Sequence, residues 1–391
     1  MEECDVSTSF ATLRTELPRE LAPALALVPM PFAASLDRML SPLDEIRRQW
    51  FAFWLRRRGV SSLLVRRERR LAVTATAHAG VTFLLSVYVP VLLFVVGPVV
   101  FGVAHVAADL RYLVLRQHLG TWWRRSVLIS CIAWVLLRGL ELAHVLRVSA
   151  RLELGLVLFW ITWGVMAGAV ESRARVRAAL TLACLALVGT AAMHFHEVWR
   201  LIFLHLHNLV GLAIWPFFYR SRQKLLLFPL GLILVGAAVL ASGVFYQVSL
   251  ASFAGKQFGL HILQVADWIT GSLRADHAIG LSCAFVFLQG AHYAFWLNVI
   301  PQAEVRGQGT LTFRMSARAL LTDFKPLGVL AIALAILLVV SLAFVNARRA
   351  SILYMSLANF HGYLELVLLA YFFVAQRSFA LHARSRAPSD Q

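Results

Sequence analysis

Cysteine is scarce in this chain, and its spacing removes thiol chemistry as an organising feature. Cys4, Cys131, Cys184 and Cys283 lie far apart, mostly inside apolar runs, with no CxxC pair and no Cys/His finger spacing. Neither a disulfide framework nor a thiolate metal site is expected. Charge is scarce as well: 15% of the 391 residues are charged against 60% hydrophobic, and the mean hydropathy is +0.72. Such a composition leaves too little polar surface for a soluble globule. Acidic residues are outnumbered, 20 against 37 basic ones. The first fifteen residues include Glu2, Glu3 and Asp5 and lack a continuous apolar core, so no cleavable signal peptide is expected. Internal repeats, low-complexity tracts and soluble domains are not visible.

What the sequence does hold is a series of apolar runs, several exceeding the roughly 18 residues that a helix needs to cross a bilayer. They predict spans near 71–89, 92–113, 126–145, 152–171, 178–195, 199–219, 225–246, 277–299, 326–346 and 352–375. The expected fold class is therefore all-α, a polytopic membrane helix bundle of about ten transmembrane helices. Pro90 and the pair Gly97 and Pro98 mark either a turn or a kinked helix in the first hairpin. Arginine clusters fall between the runs with one parity, the 56–70 arm, RQHLGTWWRR, ESRARVR, YRSRQK, the 302–325 loop and the tail, and the opposite loops are short or poorer in charge apart from Arg147 with Arg151 and Arg348 with Arg349. The positive-inside bias then puts both termini in the cytoplasm, in a membrane of bacterial inner-membrane type. The net charge of +17 is assigned to this topology and to anionic headgroups of the lipid bilayer, not to nucleic acid.

Three regions follow: an N-terminal cytoplasmic arm over 1–70, a transmembrane bundle over 71–375 and a cytoplasmic tail over 376–391. Within the arm, Trp50, Phe51, Phe53, Trp54 and Leu55 stand beside an arginine-rich face, which suits a helix lying on a headgroup surface. Residues 247–276 form the long loop expected on the outer side and cap the bundle there.

Ionisable side chains inside the apolar runs are the functional signal, because burying them in a bilayer is expensive. His105, His205 with His207, His292 and His361 sit in FGVAHVAADLRYL, LIFLHLHNLVGL, FVFLQGAHYAFWL and SLANFHGYLELVLLAYFF. At about 1.5 Å per residue, His207 lies roughly 12 Å deep, His361 roughly 14 Å, and His105 and His292 near 20 Å, so all four can share one layer. Asp109 follows His105 by four residues and Glu365 follows His361 by four, so each pair projects from one helix face. A carboxylate so placed completes a metal's ligand set or holds the second imidazole nitrogen. The expected metal-ligand set is His105, Asp109, His207, His292, His361 and Glu365, drawn from spans two, six, eight and ten. Asn208, Gln289, Tyr293 and Asn359 are close enough in sequence to orient it. His78, His144 and His205 each have a packing explanation, a hydrogen bond to a neighbouring helix. Arg138, Glu141 and His144 suit a local ion pair with a helix partner, and His194, His196 and Glu197 a solvated turn.

An imidazole and carboxylate set without cysteine suits a divalent metal, iron, zinc, copper or manganese; a nitrogen and oxygen site with open positions is the usual ground of non-haem iron and oxygen chemistry, and the residues alone do not choose among them. A site in the apolar layer is reached most readily by a lipid, a quinone or an isoprenoid, so the expected partner is a lipidic small-molecule substrate. Trp160, Trp163, Trp215, Phe217, Phe218, Phe295 and Trp296 either line its cavity or pack between helices. Two other classes remain open: a proton-coupled transporter using the same residues as a relay, and a haem-binding electron-transfer subunit. Scarce lysine within the spans and the absence of paired broken helices argue against transport. The segment FGVAHVAADL resembles the one in which membrane-bound carotene dioxygenases of the Brp/Blh type carry a histidine followed four residues later by an aspartate. That resemblance implies a non-haem iron centre that cleaves a carotenoid with oxygen, with His105 as a ligand. The HxxxH and HxxHH boxes of membrane desaturases are absent.

Overall fold

A computed structural model describes residues 30–218, 224–252, 260–271, 273–304 and 310–376. All regular elements among them are helices, and no strand occurs among the described residues. Most of the 376–391 tail, the first 29 residues and the 253–259 part of the outer loop lie outside the described residues.

In chain order the helices are α1 (Met30–Leu55), α2 (Arg58–Leu64), α3 (Arg67–Tyr88), α4 (Pro90–Leu115), α5 (Thr121–Leu142), α6 (Ala150–Ser172) and α7 (Arg175–His194). There follow α8 (His196–Phe218), α9 (Lys224–Ala241), α10 (Tyr246–Leu250), α11 (Ile262–Thr270), α12 (Ala275–Ala303), α13 (Phe313–Ala358) and α14 (Phe360–Ala375). The helical form follows from the apolar runs, because inside a bilayer each backbone N–H and C=O is paired within its own segment.

Six of these stretches are long and apolar enough to cross a membrane: α3, α4, α6, α7, α12 and the joined run Phe313–Ala375. They point to an integral membrane protein. The expectation of about ten spans is not met by that measure, for three reasons. Helix α5 carries Arg124, Arg125, Arg138 and Glu141. The apolar parts of α8 and α9 shorten to Leu201–Trp215 and Leu227–Ala241. The last two expected spans belong to one helical run, broken within α13 by non-helical backbone at Lys325 and Asn346. In the first hairpin the helix breaks at Val89, whose φ of −139° and ψ of 50° lie outside the helical region that Pro90 disfavours in the residue before it. Gly97 and Pro98 lie inside α4.

Helix α12 is the axis of the bundle: 83% of its apolar window is buried, against 17% for α7 at the periphery. Helix α6 packs most extensively on α14. Gly164 and Gly168 make that approach possible, since a Cβ on either would stand 2.8 Å from the carbonyl oxygen of Val367 or Tyr371. This is the GxxxG device of membrane helices, in which small residues let two backbones meet. Helix α1 lies against α13 through Asp37 to Arg318 and Asp44 to Arg314, the latter at 2.8 Å. Its opposite side exposes Met39, Leu43, Ile46, Trp50 and Phe53 at helical spacing, an apolar stripe of the kind that beds into a headgroup layer.

Gly168→Leu is expected to destabilise the protein by about 1–3 kcal/mol, as overpacking of a tight contact does. Gly155→Leu on the same helix, where a Cβ meets nothing within 4 Å, is the control. Thermal unfolding in detergent checks this, and equal midpoints for the two variants would show that α6 and α14 do not pack through that face.

Candidate metal centre

The α4 segment Val103–Asp109 is α-helical and lies between two π-helical turns, Pro98–Gly102 and Leu110–Leu115. A third π-helical turn, Phe295–Val299, follows His292 in α12. Each wider turn rotates the side chains beyond it, and such turns recur where a helix has to aim a functional group. His105, Asp109 and His292 meet in the space between α4, α12 and the start of α14, which supplies His361.

His105, Asp109, His292 and His361 each present one ligand atom, and these atoms lie within 4.8 Å of one another. His105 Nε2 stands 2.8 Å from His292 Nε2, and Asp109 Oδ2 stands 3.2 Å from His105 Nε2. His105, Asp109 and His292 are fully buried, and His361 is 9% exposed. In two of the three imidazoles the second nitrogen looks outward to a backbone carbonyl: His292 Nδ1 faces Asn208 O at 3.4 Å, and His361 Nδ1 faces Ala358 O, while His105 Nδ1 has no hydrogen-bond partner among the described residues. A carbonyl only accepts, so in His292 and His361 the proton belongs on Nδ1, which leaves Nε2 as the unprotonated nitrogen, a tautomer suited to metal binding.

The result is an acceptor-rich pocket. No oxygen of Asp109 or Glu365 receives a hydrogen bond among the described residues, although Glu365 Oε1 lies 3.6 Å from His292 Nε2. A direct imidazole-to-imidazole hydrogen bond accounts for the 2.8 Å separation but leaves all four carboxylate oxygens without a donor. Buried carboxylates without partners are costly, and a cation bound by Asp109 with Glu365 close by would offset that cost. Two donors at right angles, each about 2.0–2.1 Å from an ion, stand roughly 2.9 Å apart, close to the observed pair. The group can hold a metal ion.

His207 lies beside this group and outside it. Its ring is 5.4 Å from that of His361 and 6.2 Å from that of His292, with Nδ1 toward Phe203 O. Glu365 approaches His292 alone and forms the floor of the pocket under Gly211. Both were expected as ligands, and four of the six expected residues converge. His361 and His207 also line a cavity of about 960 Å³, walled mostly by apolar residues of α6, α8 and α14.

Other expectations resolve residue by residue. His205 is held by the carbonyls of Leu201 and Leu281, and His78 accepts from Asn298 Nδ2 at 2.7 Å, so both serve packing. Arg138 pairs with Glu141 and with Glu153 of α6. His144 ends α5 with a left-handed φ of 58°. Asn359 turns to Glu153 and Tyr363 and not to His361. Trp160, Trp215, Phe295 and Trp296 are core residues and do not line the cavity, whose aromatic wall is built by Phe203, Phe285, Tyr293, Tyr354 and others. Trp163 bonds Ser126, while the side chains of Phe217 and Phe218 lie outside the described residues. Cys131, Cys184 and Cys283 are free thiols remote from this chemistry.

Gly211 carried no signal in the sequence, yet the pocket requires it. A Cβ there would stand 2.1 Å from His292 Cε1 and 2.5 Å from Glu365 Oε1. No protein-family model, curated protein or solved structure matches this chain.

Gly211→Ala is expected to cost about 1–3 kcal/mol by forcing His292 and Glu365 apart. Gly231→Ala, where a Cβ meets nothing within 4 Å, should be neutral or stabilise by up to about 1 kcal/mol through helix propensity. Thermal midpoints in detergent decide it, and a silent Gly211→Ala would mean that the pocket is looser than described.

Proposed function

We propose that this chain is a metal-dependent membrane oxidoreductase acting on a lipidic or isoprenoid substrate, with iron as the favoured metal. The observation that carries this reading is a buried set of three imidazoles and a carboxylate whose His361 edge forms part of an apolar cavity. Mixed nitrogen and oxygen ligation without sulfur is the ground of non-haem redox sites. His105, His292, His361 and Asp109 would hold the ion, which when bound supplies redox chemistry for an otherwise inert carbon chain. Glu365, with Oε1 3.6 Å from His292 Nε2, would place its negative charge beside the ion, and His207 would close the pocket against the cavity. The apolar walls select substrate by burial and keep bulk water from the reacting atoms.

The resemblance of FGVAHVAADL to Brp/Blh-type carotene dioxygenases supports the same class, with His105 and Asp109 as the shared pair. A bacterial inner-membrane setting with cytoplasmic termini, and up to ten crossings counting α5, α8, α9 and a split Phe313–Ala375 run, fits the arginine parity.

The test is metal analysis with the absorption spectrum of the purified protein. Stoichiometric metal without a Soret band is expected. His292→Ala and His361→Ala should lose metal, and Glu365→Gln should keep the fold while weakening metal affinity roughly 10- to 100-fold. A Soret band would assign the histidines to haem. A wild-type protein that takes up no iron, zinc, copper or manganese on reconstitution would overturn the proposal.

A further inference from the structure

The cavity that reaches His361 is not apolar throughout. Its wall also carries Arg138 and Glu141 of α5, Glu153 of α6, and Asn359 and Tyr363, which bracket His361 in sequence. These five groups form one network. Glu153 Oε1 accepts from Arg138 Nη2, from Asn359 Nδ2 at 3.0 Å and from the Tyr363 hydroxyl, while Arg138 Nη1 donates to Glu141. Asn359 Nδ2 also reaches Tyr363 Oη at 2.9 Å. The network adjoins the candidate metal centre, since the Phe203 ring lies 4.9 Å from Tyr363 and 5.9 Å from His207.

Helix packing does not account for all of this polarity. The donors of the cluster converge on Glu153 Oε1 and Glu141 Oε2, and the second oxygen of each carboxylate receives no hydrogen bond among the described residues. Both side chains line the cavity and are only partly buried, with 21% of Glu153 and 30% of Glu141 exposed. Two carboxylates against one guanidinium leave an excess of negative charge and of acceptors. In a low-dielectric cavity that balance repels a carboxylate or a phosphate and welcomes an O–H donor.

We propose that this network is the polar-end subsite of the cavity, and that the substrate is a long apolar chain ending in a hydroxyl group rather than a bare hydrocarbon, a fatty acid or an isoprenoid diphosphate. The proposal rests on reading the cavity as the substrate site of the metal centre, but ligand binding at the subsite does not require the ion. Glu153 and Glu141 accept the hydroxyl proton, Tyr363 and Asn359 fix the Glu153 carboxylate, and the chain runs along Phe203 toward His207 and His361.

The test is equilibrium binding to the full-length protein in nanodiscs, followed by quenching of tryptophan fluorescence, since Trp199 and Trp268 line the cavity. The probes are a C20 isoprenoid alcohol, its parent hydrocarbon and its diphosphate, with metal content measured in the same sample. The alcohol should bind at least tenfold more tightly than the other two, as expected for a hydrogen bond to a charged acceptor. Tyr363→Phe, which removes one hydroxyl and keeps the ring, should reduce that preference about threefold to tenfold, and Glu153→Gln should abolish it. Equal binding of alcohol and hydrocarbon, tighter binding of the diphosphate, or no binding of any probe overturns the subsite. A metal-free sample that still prefers the alcohol would leave the subsite standing and count against the metal reading alone.

Discussion

The cost of placing ionisable groups in an apolar layer governs this structure. His105, Asp109, His292 and Glu365 are fully buried, and four carboxylate oxygens among them lack a hydrogen-bond donor among the described residues. Each such group alone would cost several kcal/mol in a medium without water. Three helices, α4, α12 and α14, nevertheless converge to bring them together, and the outward nitrogens of His292 and His361 meet backbone carbonyls, so the inward ones point at a common centre. A cation held by His105, Asp109, His292 and His361 would offset much of that unfavourable burial.

The rest of the bundle serves to hold that convergence. The π-helical turns on either side of Val103–Asp109 and after His292 adjust the aim of the ligands without breaking α4 or α12. Gly211 yields the space that the His292 ring and the Glu365 carboxylate occupy. Gly164 and Gly168 bring α6 close enough to α14 for Glu153 to reach Asn359 and Tyr363. The site and its cavity thus depend on close backbone approaches, which are tolerated because membrane helices gain most from van der Waals contact.

Much of this was legible in the sequence, and the remainder has identifiable physical causes. Apolar runs made the all-α bundle plain, and i, i+4 spacing paired His105 with Asp109 on one helix face. Depth counting placed His292 and His361 in the same layer as His105, because rise per residue is fixed by the helix. Counting spans was less secure: α8 and α9 are apolar over too few residues, and α13 runs on to α14. Azimuth was illegible for His207, which faces His361 from outside the group, since the rotation of α8 against its neighbours is set by tertiary packing. The polar network could be read only in part, because Arg138 and Glu141 share a helix while Glu153 and Tyr363 come from others far along the chain.

X-ray absorption at the metal edge of the purified, reconstituted protein tests the centre most directly. The account predicts nitrogen and oxygen scatterers at about 2.0–2.2 Å with the outer-shell pattern of about three imidazoles and no sulfur. Asp109→Asn should preserve the imidazole count, whereas His361→Ala should lower it by one or empty the site. A sulfur shell near 2.3 Å, or a metal with no imidazole around it, would contradict the account.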